Sequence, residues 1–259
     1  MAAACFLACL GAMLFVRDTP AGIGQLVGGE KNHRQFNPEV PVRAAAGVYR
    51  TSEPWKFRET MRQPVWWLLA LGTVCFLAPF GMMVGHGVVH FKGLGYTAGA
   101  ASAFLGLLPF ASLAGQAVAA IWGDRIEPRF IWSGAMVSMA LGMIVAVTAT
   151  SDGELYGAAF LIGSGCGASY PCMITLVANY FGKSAYASLM GAMLLIAALA
   201  AAAGPILAGV IFDGLGSYAM AFYPSAAACL LAGAVLPFAR PPLREGGPAA
   251  EKSNFGGMA

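Results

Sequence analysis

The sequence predicts an all-α membrane protein, a polytopic bundle of about seven transmembrane helices. Three observations carry this. Long apolar runs cover residues 1–16, 64–91, 98–122, 129–149, 155–181, 185–212 and 218–238. Charged residues make up 10% of the chain, against about 25% in ordinary soluble domains. Fourteen of the fifteen Lys and Arg residues fall in alternate gaps between the runs, and the other gaps hold only Lys92.

Most runs reach the roughly 20 residues needed to cross a hydrocarbon core about 30 Å thick. At that depth no water satisfies the backbone, so each run must bond its own N–H and C=O groups as a helix. No run shows the alternating pattern of a membrane β-barrel. Basic loops collect on the cytoplasmic side. Arg17 through Arg62 in the first gap, Arg125 and Arg129 in the third, Lys183 in the fifth and Arg240, Arg244 and Lys252 in the tail therefore share that side. This places the chain in the plasma (cytoplasmic or inner) membrane as a multi-pass protein, N-terminus outside and C-terminus cytoplasmic.

Residues 1–16 read as a first, short span rather than a secretory signal, because Arg17 follows the apolar core instead of preceding it. Residues 17–63 read as a basic cytoplasmic linker with Pro20, Pro38, Pro41 and Pro54. Its end, 53–62, has the composition of a short interfacial helix, with Trp55 and Phe57 toward lipid and Lys56, Arg58 and Arg62 toward headgroups. Trp66 and Trp67 mark where the next span meets the interface. Residues 64–238 form a six-helix bundle, and 239–259 a cytoplasmic tail. The six spans divide into triplets at 64–149 and 155–238. An odd number of spans per triplet inverts one relative to the other, the inverted-repeat arrangement of many secondary transporters.

The net charge of +3 follows from topology and points to no nucleic acid, while basic groups near headgroups favour anionic lipid. All six cysteines, Cys5, Cys9, Cys75, Cys166, Cys172 and Cys229, lie in apolar runs without metal-ligand spacing and read as small packing residues. No metal site and no cofactor are expected.

Residues 115–129 read Gly-Gln-Ala-Val-Ala-Ala-Ile-Trp-Gly-Asp-Arg-Ile-Glu-Pro-Arg. This resembles the loop signature of the major facilitator superfamily, Gly-x-x-x-Asp-Arg before a Gly-Arg-Arg cluster. Asp124, Arg125 and Arg129 match it; Ala120, Glu127 and Pro128 depart from it. The stretches Gly163–Pro171, Asn179–Lys183, Gly204–Gly209 and Gly216–Tyr218 with Asp213 resemble the tenth and eleventh spans of monocarboxylate-type and oxalate/formate-type members. Arg17-Asp18-Thr19-Pro20 resembles the exit from their sixth span. The resemblance implies the sixth span, central loop and second six-helix half of a twelve-span transporter, with an N-terminal half missing.

By the same resemblance, Asp124, Arg125 and Arg129 form a cytoplasmic gating latch; the alternative is charges that only set topology. Gly163 and Gly167 form a small-xxx-small packing face, and Gly163, Gly165 and Gly167 have no strand before them to make a nucleotide loop. Gly204 and Pro205 belong to close helix packing. Polar side chains at mid-depth are few: Ser112, Gln116, Ser164, Ser169 and Tyr170. With His86, which shares a helical face with His90, residues Ser112, Gln116, Ser169 and Tyr170 are candidates for the substrate pathway, interhelical hydrogen bonding being the alternative. No Asp, Glu, Lys or Arg lies deep in the six spans, and the eighth and eleventh spans lack the cation that carriers of carboxylates place there.

The expected function is a secondary transporter, or its C-terminal half, moving a small solute, possibly an organic anion, by alternating access. It is not expected to be an enzyme. A non-transporting truncated remnant is one alternative. A seven-helix receptor or pump is another; the last span lacks the lysine that retinal needs, and the uneven spacing of the spans fits a receptor poorly.

Overall fold

The computed structural model describes residues 48–51, 54–182 and 184–242. The expected first span at 1–16, most of the linker and most of the tail lie outside these residues. Six of the described helices are long and apolar enough to cross a membrane. A short helix α1 (Phe57–Thr60) precedes them, and the six are α2 (Pro64–Gly93), α3 (Ala98–Trp122), α4 (Pro128–Thr148), α5 (Asp152–Phe181), α6 (Tyr186–Leu215) and α7 (Ala219–Val235). A 3₁₀ turn at Leu236–Phe238 extends α7. The described residues contain no strand. The protein is an all-helical membrane bundle, as its apolar runs predict.

Local chemistry sets the helix ends. Pro64 and Pro128 open α2 and α4, where a missing N–H costs nothing. Thr97 and Ser151 cap α3 and α5 by accepting from the backbone N–H groups of Ala100 and Glu154. Gly216, at φ 69°, ends α6 in the left-handed conformation that suits glycine.

Packing is led by α5, which lies against α3 and α4 along their lengths; α2 pairs with α6, and α4 with α7. This pattern maps onto itself when α2, α3 and α4 are exchanged for α5, α6 and α7. The α3–α5 contact becomes α6–α2, α4–α5 becomes α7–α2, and α4–α7 returns to itself. An inverted repeat produces this correspondence.

Small residues let the helices touch backbone to backbone. A Cβ at Gly163 would stand 2.5 Å from the Leu108 carbonyl oxygen, and one at Gly165 2.5 Å from that of Ala135. At Gly167 and Gly115 it would collide with the Ser112 and Ser164 backbones across the α3–α5 contact. Thus Gly163 and Gly167 face α3, whereas Gly165 between them faces α4. Gly204 meets Ala78 of α2 in the same way. In lipid, such close approach supplies dispersion that no hydrophobic effect between helices would.

Two prolines free carbonyls that neighbouring helices then meet. Pro79 leaves the Cys75 carbonyl without its helical donor, and the Cys229 thiol on α7 donates to it at 3.1 Å. Pro205 does the same to Ala201, whose oxygen lies 2.8 Å from where a Cβ on Gly81 would sit. Only a glycine lets α2 come that close.

The end of the linker differs from its expected arrangement. Only Phe57–Thr60 is helical, and Trp55 is buried against Phe181, ring centroids 5.9 Å apart, instead of facing lipid. Its carbonyl accepts from the Ser184 hydroxyl at 2.8 Å. The end of α5 offers an aromatic partner, so the indole gains more by joining the core than by lying at the interface. Trp66 is likewise buried, whereas Trp67 is exposed, its indole N–H donating to the Met61 carbonyl at 2.9 Å.

The α3–α5 contact predicts a contrast between two glycine variants in thermal unfolding of the detergent-solubilised chain. Gly167→Leu should destabilise it by about 1–3 kcal/mol through overpacking. Gly191→Ala, whose Cβ would meet open space, should be neutral or raise stability by up to about 1 kcal/mol.

Candidate functional site

Beside the α3–α5 contact, the two helices form the walls of an open groove with α2. Its inner part, of about 410 Å³, is lined by Phe80, Val84, Pro109, Ser112, Cys166 and Tyr170 among others. Its outer part, of about 550 Å³, continues past Gln116, Ala120, Gly123, Asp124, Tyr170 and Thr175. Gln116 and Tyr170 line both. Along α3 the lining residues Ser112, Gln116, Ala119, Ala120 and Gly123 fall at helical spacing, so one face of α3 forms the wall. Gly115, next to Gln116, is turned into the α5 contact.

Three expected pathway residues therefore meet: Ser112, Gln116 and Tyr170 share one groove, with Asp124 at its mouth. The Gln116 side chain has no hydrogen bond to any described residue, and Tyr170 is exposed. Ser112 donates to the Pro109 carbonyl at 2.7 Å, which leaves its lone pairs for a ligand. Ser169 is separated from them. It is buried and donates to the Gly165 carbonyl of its own helix at 2.7 Å.

His86 stands elsewhere, between α2, α6 and the start of α7. Its Nε2 lies 2.9 Å from the Pro205 carbonyl oxygen and its Nδ1 3.2 Å from the Tyr218 hydroxyl. The ring stacks on Tyr218 at 5.0 Å between centroids. A neutral His86 with its proton on Nε2 satisfies both contacts, donating to Pro205 and accepting from Tyr218. Both ring nitrogens are thereby engaged. His90, one turn on, is buried among Phe91, Tyr218 and Phe222. The described residues contain no cluster of His, Cys, Asp and Glu able to hold a metal.

A second polar cluster closes the end of the bundle where the linker arrives, called here the basic end. Arg50 and Asp124 form an ion pair at 3.0 Å, both well exposed. Glu127 is buried. Its carboxylate accepts from the Tyr49 backbone N–H at 2.9 Å and from the Tyr180 hydroxyl at 3.0 Å. Tyr180 also lies 2.9 Å from the Ala239 carbonyl oxygen, and Arg129 donates to that same oxygen at 3.2 Å. The Thr51 N–H donates to the Asn179 carbonyl at 2.8 Å. Residues 48–51 are thus stitched to the 123–127 loop, the end of α5 and, through Tyr180, the end of α7. Arg125 is exposed, and its side chain makes no hydrogen bond or ion pair to a described residue.

Tyr49, Arg50, Glu127 and Tyr180 were not among the expected site residues. Glu127 stood out only as a departure from the loop signature. No spacing pairs residue 127 with residue 180; the packing of α4 on α5 brings them together. The one available signal was that an acid at the start of an apolar run needs a donor once buried.

The cluster predicts that two acids three residues apart differ sharply in unfolding measurements. Asp124→Asn should cost less than about 1 kcal/mol, because the ion pair is solvated. Glu127→Ala should cost about 1–3 kcal/mol, because it strands a buried donor. Equal effects would mean that the Glu127 contacts do not hold the linker.

Comparison with known proteins agrees with this architecture. Residues 91–257, more than half of the chain, match the model of the Major Facilitator Superfamily. No curated protein gives a significant match. Six apolar span-length helices, a helix-exchange packing pattern and this match lead to one conclusion: the chain belongs to the major facilitator superfamily of membrane transporters.

Proposed function

We propose that this chain is the C-terminal half of a secondary transporter of the monocarboxylate or oxalate/formate kind. It would move a small solute by alternating access together with an N-terminal six-helix half. The observation that carries this reading is the groove of Ser112, Gln116 and Tyr170. It opens beside α3, which with α6 is the least covered of the six helices. In this reading those two helices face the other half, and the groove is one wall of the shared solute path.

Solute contact falls to neutral groups in this half. Gln116 offers an amide donor and acceptor, Ser112 a hydroxyl acceptor and Tyr170 a phenol. Neither α3 nor α6 contains a Lys or Arg. An organic anion would therefore take its counter-charge from the other half, and a coupling acid would lie there too. Ser169 would act by fixing the helix backbone beside Tyr170, and His86 by tying α2 to α6, rather than by touching solute. Gly163, Gly167, Gly204 and Pro205 would hold the helices close enough to move as one body.

The Arg50–Asp124 pair and the Arg129–Ala239 contact make the basic end a latch that opens and reforms during the cycle. By charge bias this end would be cytoplasmic and the N-terminus outside, in keeping with a place in the plasma membrane.

The reading is tested by uptake into proteoliposomes holding this chain together with an N-terminal half. Gln116→Ala and Tyr170→Ala should each lower uptake of the transported solute at least tenfold, with both halves still co-purifying. Unchanged uptake in both variants would remove the groove from the path. Uptake by this chain alone would overturn the need for a second half.

A further inference from the structure

A different groove opens on the opposite flank of α3, between α3 and α4, with α5 as its floor. It encloses about 410 Å³ and is lined by Val118, Trp122, Ile126, Phe130, Gly134 and Phe160 among others. Its floor contains Ser164, and Ser138 stands in its wall. Both hydroxyls already donate to the Leu161 carbonyl, at 3.3 Å and 3.0 Å. The walls thus offer a ligand carbon and aromatic edges but little free hydrogen bonding. A polar solute gains nothing there; an acyl chain does.

Depth and charge say which acyl chain. Along α4 the groove runs from Phe130 to Ser138, roughly 12 Å of helix at 1.5 Å per residue. That is close to one leaflet of a hydrocarbon core about 30 Å thick. Its mouth is at the basic end, where Trp122 and Ile126 flank Arg125. Arg129 lies over the Phe130 ring at 4.9 Å. The acids of the loop are engaged elsewhere: Asp124 with Arg50, and Glu127 with Tyr49 and Tyr180. Arg125, next in sequence to the lining residue Ile126, is therefore an exposed cation with no protein counter-charge among the described residues.

We infer that the α3–α4 groove is a binding site for an anionic phospholipid, one acyl chain lying in the groove and the headgroup phosphate on Arg125. An arginine at the membrane surface contributes about 1 kcal/mol toward an anionic lipid, or about fivefold in affinity.

Native mass spectrometry tests this on the full chain released from detergent containing equal phosphatidylglycerol and phosphatidylcholine. The wild-type chain should retain phosphatidylglycerol about fivefold over phosphatidylcholine. Arg125→Gln should bring the two close to equal. Gly134→Phe should lower retention of both lipids, because a Cβ at Gly134 meets only open space and the ring would fill the groove. A melting temperature near wild type confirms that each variant is folded. Equal retention of the two lipids by the wild-type chain overturns the inference. So does unchanged preference in Arg125→Gln, or wild-type retention in Gly134→Phe. Self-association of the chain that is lost together with lipid in Gly134→Phe would assign the groove to a second copy instead.

Discussion

The backbone contact of α5 with α3 and α4 is the constraint on which the rest of the structure depends. Between lipid-solvated helices no hydrophobic force selects one packing over another, so shape must do it. Gly163 and Gly167 present one bare strip of α5 to α3, and Gly165 presents another to α4. Because α3 meets α5 through Ala111 and Gly115, its remaining faces are committed. One turns Ser112 and Gln116 into the groove proposed for solute, and the opposite flank carries Val118 and Trp122 into the groove proposed for lipid. A single contact thus orients two grooves on opposite flanks of the same helix.

The basic end shows how a membrane bundle holds a polar connection in place. The Arg50–Asp124 pair is exposed and weak, well suited to opening. Glu127, one turn into the loop, is buried and takes two donors from segments far apart in sequence. Strong and weak elements are thereby separated: Glu127 holds residues near Tyr49 to the bundle, while the nearby ion pair is solvated. If the proposed latch used Glu127 instead of Asp124, it would have to expose a buried carboxylate at every turnover.

Much of this was legible in the residues. The six described spans follow from apolar run length, and their helix ends lie within a few residues of the runs because Pro64, Thr97, Pro128 and Ser151 punctuate them. The groove was partly legible, since Ser112, Gln116 and Tyr170 are rare polar groups in apolar runs. Ser169 has the same composition but turns into its own helix, a one-residue difference in azimuth that only packing settles. Trp55 and Trp66 look interfacial by composition, yet each finds a closer apolar partner in the core. Glu127 and Tyr180 could not be paired in advance, because their contact comes from the meeting of α4 and α5.

The claim that α3 divides water from lipid is open to one direct measurement. Spin labels placed singly at residues 112 to 123 of the chain in liposomes report collisions with a water-soluble nickel complex and with oxygen. Collisions with the nickel complex should peak at 112, 116, 120 and 123. Collisions with oxygen should peak at 113, 117, 118 and 121. A uniform lipid-like response along the whole segment, with no polar peak at 116, would contradict it.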